Sequence, residues 1–413
     1  MRILVWLFAA AALGQTEQKA VLDEFVEFLR IPNVAADLPN IERNAAHLES
    51  MLARRGVKTQ RLAVAGAPPV VFGELSTAGA TRTLVFYAHY DGQSVDPREW
   101  TVTAPFTPLV RDGHLWARSA SDDKGAIMAM LAALDRLRGA GRPLKSNIKF
   151  FFEGEEEAGS PNLRQIVTQH RARLAGDVWL ICDGPVHQTR RQQVFFGARG
   201  ITQAQITVYG PNRELHSGHY GNWAPNPAMM LARLLATMKD DEGHVLIGGW
   251  YDGIEPLSAT EREAIAAEPA VDAALRQELG LARTDGDGRK LIDLINLPSL
   301  NIRGLASAAT GTGARNVVPA TATAEIDIRL VKGIDHRQAA ERLTAHIRKQ
   351  GYHVIDRDPD AATRARYPRI ASVTLRGWYN AVRTPMDLPI AREVVAAIER
   401  ARGPVVRMPT LGG

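Results

Sequence analysis

Cysteine is almost absent from this chain, which has one, Cys182, among its 413 residues. A single cysteine excludes an intramolecular disulfide framework, and it excludes zinc or iron–sulfur sites built on clustered thiolates. Any bound metal must therefore be held by histidine and carboxylate groups. The sequence also shows no internal repeat and no low-complexity tract.

Long runs of like charge are absent as well. The 50 basic and 45 acidic residues leave a formal net charge of +5, and the basic residues are scattered along the chain. We therefore expect no nucleic-acid partner. Hydrophobic residues make up 45% and charged residues 23%, which is the balance of a globular protein, and the length suggests two or three domains.

The apolar run at residues 3–12 is too short to span a bilayer as a helix. It follows the positive charge of Arg2 and precedes small and polar residues, an arrangement that predicts a signal peptide over residues 1–14. A buried N-terminal helix is the alternative. No cysteine follows this run, so we expect no stable membrane anchor and a secreted or periplasmic protein.

Hydrophobic periodicity predicts strands that alternate with helices in the first half of the chain. Two amphipathic helices come first, at 17–30 and 41–55. They are followed by strands at 83–90, 147–152 and 177–181 and by helices at 125–137 and 162–174. This order is typical of an α/β domain in which a mixed, mostly parallel sheet has helices on both faces.

The pattern changes near Gly200 to strand, helix, strand, strand, helix, strand. The strands are predicted at 201–209, 299–303, 323–331 and 372–378, and the helices at 227–238 and 336–350. A last helix is predicted at 387–402. We interpret this pattern as an α+β module at 200–379 that is inserted into a first domain formed by residues 15–199 and 380–413.

Polar clusters follow strands of the first domain or open a helix. They are His89-Tyr90-Asp91-Gly92, Asp122-Asp123-Lys124-Gly125, residues 153–160 and Asp183-Gly184. Ligands of open α/β sheets bind where the carboxyl ends of the strands meet, so we expect these clusters to converge. Because such dense negative charge needs neutralising cations, we predict two divalent metal ions, of which zinc, manganese and cobalt suit histidine and carboxylate ligands.

Each cluster alone has an ordinary explanation. A lone His-x-Asp is typical of a surface loop, Asp122 and Asp123 suit a helix N-cap, and the acidic residues 153–157 suit a solvated edge. Asp183 suits a turn. The case for a site depends on all four clusters occurring in order, each after a strand or at the start of a helix.

Four segments of the chain resemble the di-zinc metallopeptidase family that includes carnosine and other dipeptidases, glutamate carboxypeptidases, aminoacylases and succinyl-diaminopimelate desuccinylase. The matching segments are 89–93, 116–125, 153–160 and 214–218. The Asp-Asp-Lys-Gly and Glu-Glu-Ala-Gly-Ser forms and the long inserted module favour the dipeptidase branch. The resemblance implies a zinc-exopeptidase-like fold, an inserted lid and dimerisation domain, and a homodimer.

The resemblance also implies a set of metal ligands. His89 and Asp183 would hold one ion, Asp122 would bridge both ions, and Glu157 would bind the second. Zinc is the expected metal, with manganese or cobalt as alternatives.

Catalytic and substrate-binding roles follow from the same resemblance. Asp91 would orient the imidazole of His89, and Glu156 would be the general base. His216 would reach into the partner subunit's site and stabilise the oxyanion. Arg329 would hold the terminal carboxylate of the substrate, and Asn316 would lie near the reacting carbonyl. Arg329 could instead be an ordinary exposed charge, and His216 a capped loop histidine.

The family has one more metal-binding histidine near its carboxyl end, whereas no histidine follows His353 here. We therefore expect a truncated chain that binds the second ion weakly and turns over poorly. The expected reaction is hydrolysis of a peptide bond next to a free carboxylate, by a dipeptidase or carboxypeptidase. The alternatives are an N-acyl-amino-acid amidohydrolase and an inactive metal-binding scaffold.

Overall fold

The computed structural model describes residues 15–412, so the predicted signal peptide at 1–14 lies outside the described residues. The chain separates into two compact units, with the division after Pro185. Within the described range, no helix combines the length and the apolar character needed to cross a membrane.

The first unit contains the alternating elements that the sequence predicts. Its helices are α1 (Gln15–Leu29), α2 (Leu38–Arg54), α3 (Lys124–Gly139) and α4 (Leu163–Gln169). Its strands are β1 (Lys58–Leu62), β2 (Val70–Leu75), β3 (Thr83–His89), β4 (Leu109–Arg111), β5 (His114–Trp116), β6 (Asn147–Glu153) and β7 (Val178–Ile181). Short 3-10 helices lie at Pro97–Glu99 and Glu156–Ala158.

The main sheet of this unit has the strand order β1-β2-β6-β3-β7. Strands β6, β3 and β7 run parallel, whereas β1 and β2 pair antiparallel, which makes the sheet mixed and confirms the α/β class. Strand β1 was not predicted, because this edge strand exposes Lys58 and Gln60 and has no apolar run.

Apolar cores lie on both faces of this sheet. Neighbouring side chains of a strand point to opposite faces, so Phe152 packs with α1, α2 and α3 while Phe151 packs with Ile166 of α4. Helix α2 begins where the Asp37 side chain accepts the backbone N–H of Asn40, which satisfies a donor of its first turn. The two cores hold the strand ends of the unit in fixed positions.

The second unit contains the remaining helices and strands. The helices are α5 (Ser217–Tyr220), α6 (Pro227–Ala236), α7 (Ala259–Ala266), α8 (Asp272–Glu278), α9 (Leu291–Ile295), α10 (His336–Lys349), α11 (Ala361–Arg366) and α12 (Pro389–Arg402). The strands are β8 (Gln193–Phe195), β9 (Gly197–Ala198), β10 (Gly200–Tyr209), β11 (Leu215–His216), β12 (Ser299–Ala306), β13 (Val317–Val318), β14 (Thr321–Leu330), β15 (His353–Ile355), β16 (Ile370–Tyr379), β17 (Val382–Arg383) and β18 (Val406–Met408).

A second sheet, with the order β12-β14-β10-β16-β15, is the centre of this unit. Strands β10 and β14 alternate between buried and partly exposed residues, because one sheet face packs on α6 and α10 through residues such as Ile206, Ile326 and Leu343. The other face is polar, and Gln205 donates to Glu325 across it.

The carboxyl-terminal strands pair with short strands that precede the second sheet. β17 pairs with β9, and β18 pairs with β8. The division of the chain into 15–199 and 380–413 around an inserted 200–379 stays a prediction.

Candidate metal centre

The polar clusters of the first unit meet because of the order of its strands. β3 lies between β6 and β7, and all three are parallel, so their carboxyl ends meet at one edge. His89 ends β3, and Asp183 comes two residues after β7. Asp122 reaches the same edge from the loop before α3.

Three of the predicted ligands lie in direct reach of one another. The Nε2 atom of His89 lies 2.9 Å from an Asp122 oxygen and 3.8 Å from an Asp183 oxygen. One ligand atom from each of the three residues lies within 4.8 Å of the other two. His89 is buried, whereas Asp122 is exposed and Asp183 is half-buried, so the group opens to solvent on the carboxylate side.

Asp91 joins the histidine to the acidic turn after β6. Its side chain is fully buried, and its two oxygens accept the backbone N–H groups of Glu156 (3.1 Å) and Glu157 (3.0 Å). Its backbone carbonyl lies 3.2 Å from Nδ1 of His89. When Nδ1 carries a hydrogen and donates to this carbonyl, Nε2 is the ring nitrogen that faces the carboxylates.

Two opposing effects set the protonation of His89. Burial alone would lower its pKa, but hydrogen bonds with Asp122 and Asp91 outweigh burial and raise the pKa to about 11. The same hydrogen bond with His89 lowers the pKa of Asp122. In the protein alone, a proton on the imidazole therefore balances part of the negative charge, and a metal cation would replace that proton.

Three further carboxyl groups of the centre have raised pKa values. Burial raises the pKa of Glu156 to about 7, and the charges of Asp183 and Glu157 add to this rise while His89 opposes it. The pKa values of Glu157 and Asp183 are raised as well, with burial as the main cause. Because additional positive charge would relieve this repulsion, the side chains present fit a divalent cation.

The donor set at this edge consists of imidazole nitrogen and carboxylate oxygen. Cys182 adjoins Asp183, but burial raises the pKa of its thiol to about 12, which keeps it protonated near neutral pH. The set therefore suits zinc, manganese or cobalt held without thiolate.

Glu157 is placed differently from the other predicted ligands. Its carboxylate accepts a hydrogen bond of 2.7 Å from Nε2 of Gln93, a residue in the loop after β3. It is not a member of the His89, Asp122 and Asp183 group. Its predicted role as a ligand of the second ion stays a prediction.

Asp123 and Gln93 also contribute to the centre, although neither was predicted to have a role there. The buried Asp123 carboxylate accepts the backbone N–H of His89 at 3.1 Å, and burial raises its pKa to about 9. It therefore supports the strand end that carries the histidine. Its position beside Asp122 at the start of α3 is the sequence signal that could have suggested this contact.

The other three predicted site residues belong to the second unit. His216 is exposed, its ring nitrogen accepts the Gly218 N–H at 3.1 Å, and its ring lies 4.9 Å from that of His219. The backbone carbonyl of Asn316 accepts the N–H of Ser217, so Asn316 and His216 are neighbours. Arg329 lies on β14, with Nε 3.5 Å from an Asp327 oxygen. Their roles in catalysis stay predictions.

Comparison with known proteins connects this arrangement to metal-dependent peptidases. Residues 85–413 match the model of peptidase family M20/M25/M40. The chain is 31% identical over 287 residues to the human Beta-Ala-His dipeptidase, a match that covers 68% of this chain and 56% of the relative. It is 26% identical over 348 residues to the Cys-Gly metallodipeptidase dug1 of Schizosaccharomyces pombe, covering 79% of this chain and 73% of the relative.

Solved structures show the same fold. An M20 family metallo-carboxypeptidase from Sulfolobus solfataricus superposes with a TM-score of 0.79 at 29% identity, covering 95% of this chain and 86% of that chain. Human carnosine dipeptidase 1 superposes with a TM-score of 0.74 at 24% identity, covering 96% and 85%. The chain spans little more than half the length of the human Beta-Ala-His dipeptidase that it matches.

Proposed function

The chain belongs to peptidase family M20/M25/M40, and from this premise we propose that it is a metal-dependent dipeptidase or carboxypeptidase. It would hydrolyse a peptide bond next to a free C-terminal carboxylate. The observation that carries the proposal is the group of His89, Asp122 and Asp183, with Glu156 beside it. The similarity to two dipeptidases and a metallo-carboxypeptidase supports this reaction class.

His89, Asp122 and Asp183 would hold one ion, and Glu157 with Asp122 would hold a second, most simply zinc in both places. When bound, these ions would polarise the scissile carbonyl and lower the pKa of the attacking water.

Glu156 is the residue proposed to move the proton. One of its carboxylate oxygens lies 3.9 Å from Nε2 of His89. The backbone N–H of Glu156 donates to the Asp91 carboxylate, which holds the backbone of Glu156 in the turn. In the metal-free protein, burial raises the pKa of Glu156 to about 7. Its carboxylate would take a proton from the attacking water and deliver it to the leaving amine.

Three residues of the second unit complete the proposed reaction. His216 would donate to the developing oxyanion in the site of a partner subunit, with Asn316 near the reacting carbonyl. Arg329 would bind the substrate carboxylate, because a guanidinium suits a planar, bidentate contact.

A panel of substrates tests this proposal. We expect the zinc-loaded chain to hydrolyse free dipeptides, with β-alanyl-histidine and cysteinyl-glycine as the first probes, and to cleave their C-terminal amides poorly. Replacing Arg329 with Gln should remove this preference by raising KM for the free acids alone. Faster cleavage of N-acetyl or N-succinyl amino acids than of any dipeptide would contradict the dipeptidase proposal and support an amidohydrolase.

We also propose a homodimer formed through the second unit. Strand β12 is an edge of the central sheet, and Ile302 and Leu305 on it are exposed, so a second copy could cover them. Light scattering should give a molar mass of two chains for the wild type and of one chain for the variant in which Asp replaces Leu305. A wild-type chain that is monomeric at high concentration would contradict this.

The predicted location is likewise a proposal. If residues 1–14 are an export signal, the chain expressed with its own leader should be secreted or periplasmic and should lack these residues. Amino-terminal sequencing of the exported protein tests this, and an uncleaved chain in the cytosol would contradict it.

A further inference from the structure

A segment that carries none of the predicted ligands contacts the loop after His89 and the loop before Asp122. This segment, residues 28–34, comprises the last two residues of α1 and the first part of the connection to α2, and we call it the brace. Asn33 within it is fully buried. Its side-chain Nδ2 donates to the backbone carbonyl of Tyr90 (2.7 Å) and to the hydroxyl of Ser119 (2.9 Å). The backbone carbonyl of Asn33 accepts the N–H of Gly92 (2.8 Å). One residue therefore links the loop after His89 to the loop that precedes Asp122.

Lys124 attaches the same segment to the start of α3. Its fully buried Nζ donates to the backbone carbonyls of Phe28 (2.9 Å) and Ile31 (3.1 Å) and lies 4.3 Å from the centre of the Phe28 ring. Carbonyls at the end of a helix have no partner within it, so the Lys124 side chain supplies a donor that they would otherwise lack. These two hydrogen bonds attach the Lys124 side chain, two residues after Asp122, to the end of α1 and the residues that follow it.

The backbone at Gly92 and Ser119 is closely packed against the brace. A Cβ atom on Gly92 would lie 2.6 Å from the Ser119 hydroxyl and 3.2 Å from Nδ2 of Asn33, so only glycine fits there. Ser119 has a φ of +60°, a left-handed conformation that is unfavourable for residues other than glycine. The hydrogen bond from Asn33 helps to hold Ser119 in this conformation, three residues before Asp122.

We infer that the brace sets the distance between His89 and Asp122, and that Asn33 is a positioning residue of the metal centre. Asn33 contacts neither ligand side chain and acts through Tyr90 and Ser119. The match to the family model begins at residue 85, so it does not include the brace. The inference rests on the proposed function, because it assumes that the centre binds a metal ion.

The test measures zinc affinity and thermal unfolding of the full chain in parallel. Zinc alone is the probe, and a chromophoric chelator competes for it. We expect Asn33→Ala to weaken zinc binding roughly tenfold to 100-fold, the usual effect of losing a group that supports metal ligands. The control is Asn296→Ala in the second unit, where a similarly buried amide donates to Ile292 and accepts from Thr410. Both variants should lower the midpoint of unfolding, but only Asn33→Ala should change zinc affinity.

Ser119→Ala provides a second variant if Asn33→Ala does not fold, because it removes only the hydroxyl that accepts from Asn33. It should weaken zinc binding in the same direction. Wild-type zinc affinity in the folded Asn33 or Ser119 variant would overturn the inference, as would an equal loss of affinity in the Asn296 control. Failure of the wild-type chain itself to bind zinc would instead overturn the proposed function, and the role of the brace with it.

Discussion

Replacing Glu156 with Gln separates catalysis from metal binding. The substitution keeps the shape of the side chain but removes the carboxylate that accepts the proton. General acid–base catalysis contributes roughly 10²- to 10⁴-fold, which corresponds to about 2.7 to 5.4 kcal/mol of barrier at 1.36 kcal/mol per factor of ten. We expect kcat to fall by this factor and the zinc content to stay unchanged, since Glu156 is not in the His89, Asp122 and Asp183 group.

The same substitution, which lowers kcat, should raise the stability of the metal-free protein. Burial raises the pKa of Glu156 from 4.5 to about 7, so between these pH values the folded chain binds more protons than the unfolded chain. Stability of the metal-free protein therefore falls as pH rises through this interval. A neutral glutamine removes that loss. The variant should unfold at a higher temperature than wild type above pH 7 and should gain little below pH 4.5.

Two measurements check this reasoning. Steady-state hydrolysis of a dipeptide by the zinc-loaded chain gives kcat, and thermal unfolding of the metal-free chain at pH 4.5 and pH 8 gives the stability change. Replacing the exposed Glu99 with Gln is the control and should alter neither quantity. A kcat within tenfold of wild type would reject Glu156 as the base. Lower stability of the variant at pH 8 would reject the account of its electrostatics.

Three further predictions follow from the first unit. Asp91→Asn places an amide donor against one of two backbone N–H groups in a fully buried position. Denaturant unfolding should therefore show a free energy of unfolding lower by about 1 to 3 kcal/mol, and an unchanged value would contradict this. Chelation should lower the unfolding midpoint of the zinc-loaded wild type but not of Asp122→Asn, and equal shifts would count against Asp122 as a ligand. Phe152→Ala should cost about 3 to 5 kcal/mol of unfolding free energy, because Phe152 fills the core under α1, α2 and α3, and a cost below 1 kcal/mol would refute that packing.

Much of the fold could be predicted because its strongest signals are local. The predicted strand at 83–90 is β3, and the predicted helix at 125–137 is α3, since apolar periodicity of a half-buried element is written in consecutive residues. Edge strand β1 lacks that signal, because its pairing with β2 depends on backbone hydrogen bonds rather than on apolar side chains. The predicted helix at 162–174 ends at Gln169, so its boundary was less well predicted than its existence.

The candidate site, like the fold, could be predicted only in part. The positions of His89 and Asp183 after strands indicated an edge of the sheet, and parallel pairing of β3 with β6 and β7 brings them there. The contacts that support them were not predictable. Asn33 lies 57 residues from Tyr90 and 86 from Ser119 along the chain, and no local pattern relates residues so far apart.

By itself, the sequence determined which chemical groups were available: one cysteine, and histidine and carboxylates at the ends of strands. Only the tertiary structure decided how those groups are arranged, bringing Asp122 and Asp183 within reach of His89 while Gln93 holds the carboxylate of Glu157. The physical reason is that secondary structure follows from neighbouring residues, whereas the direction of a side chain depends on packing and hydrogen bonds from distant parts of the chain.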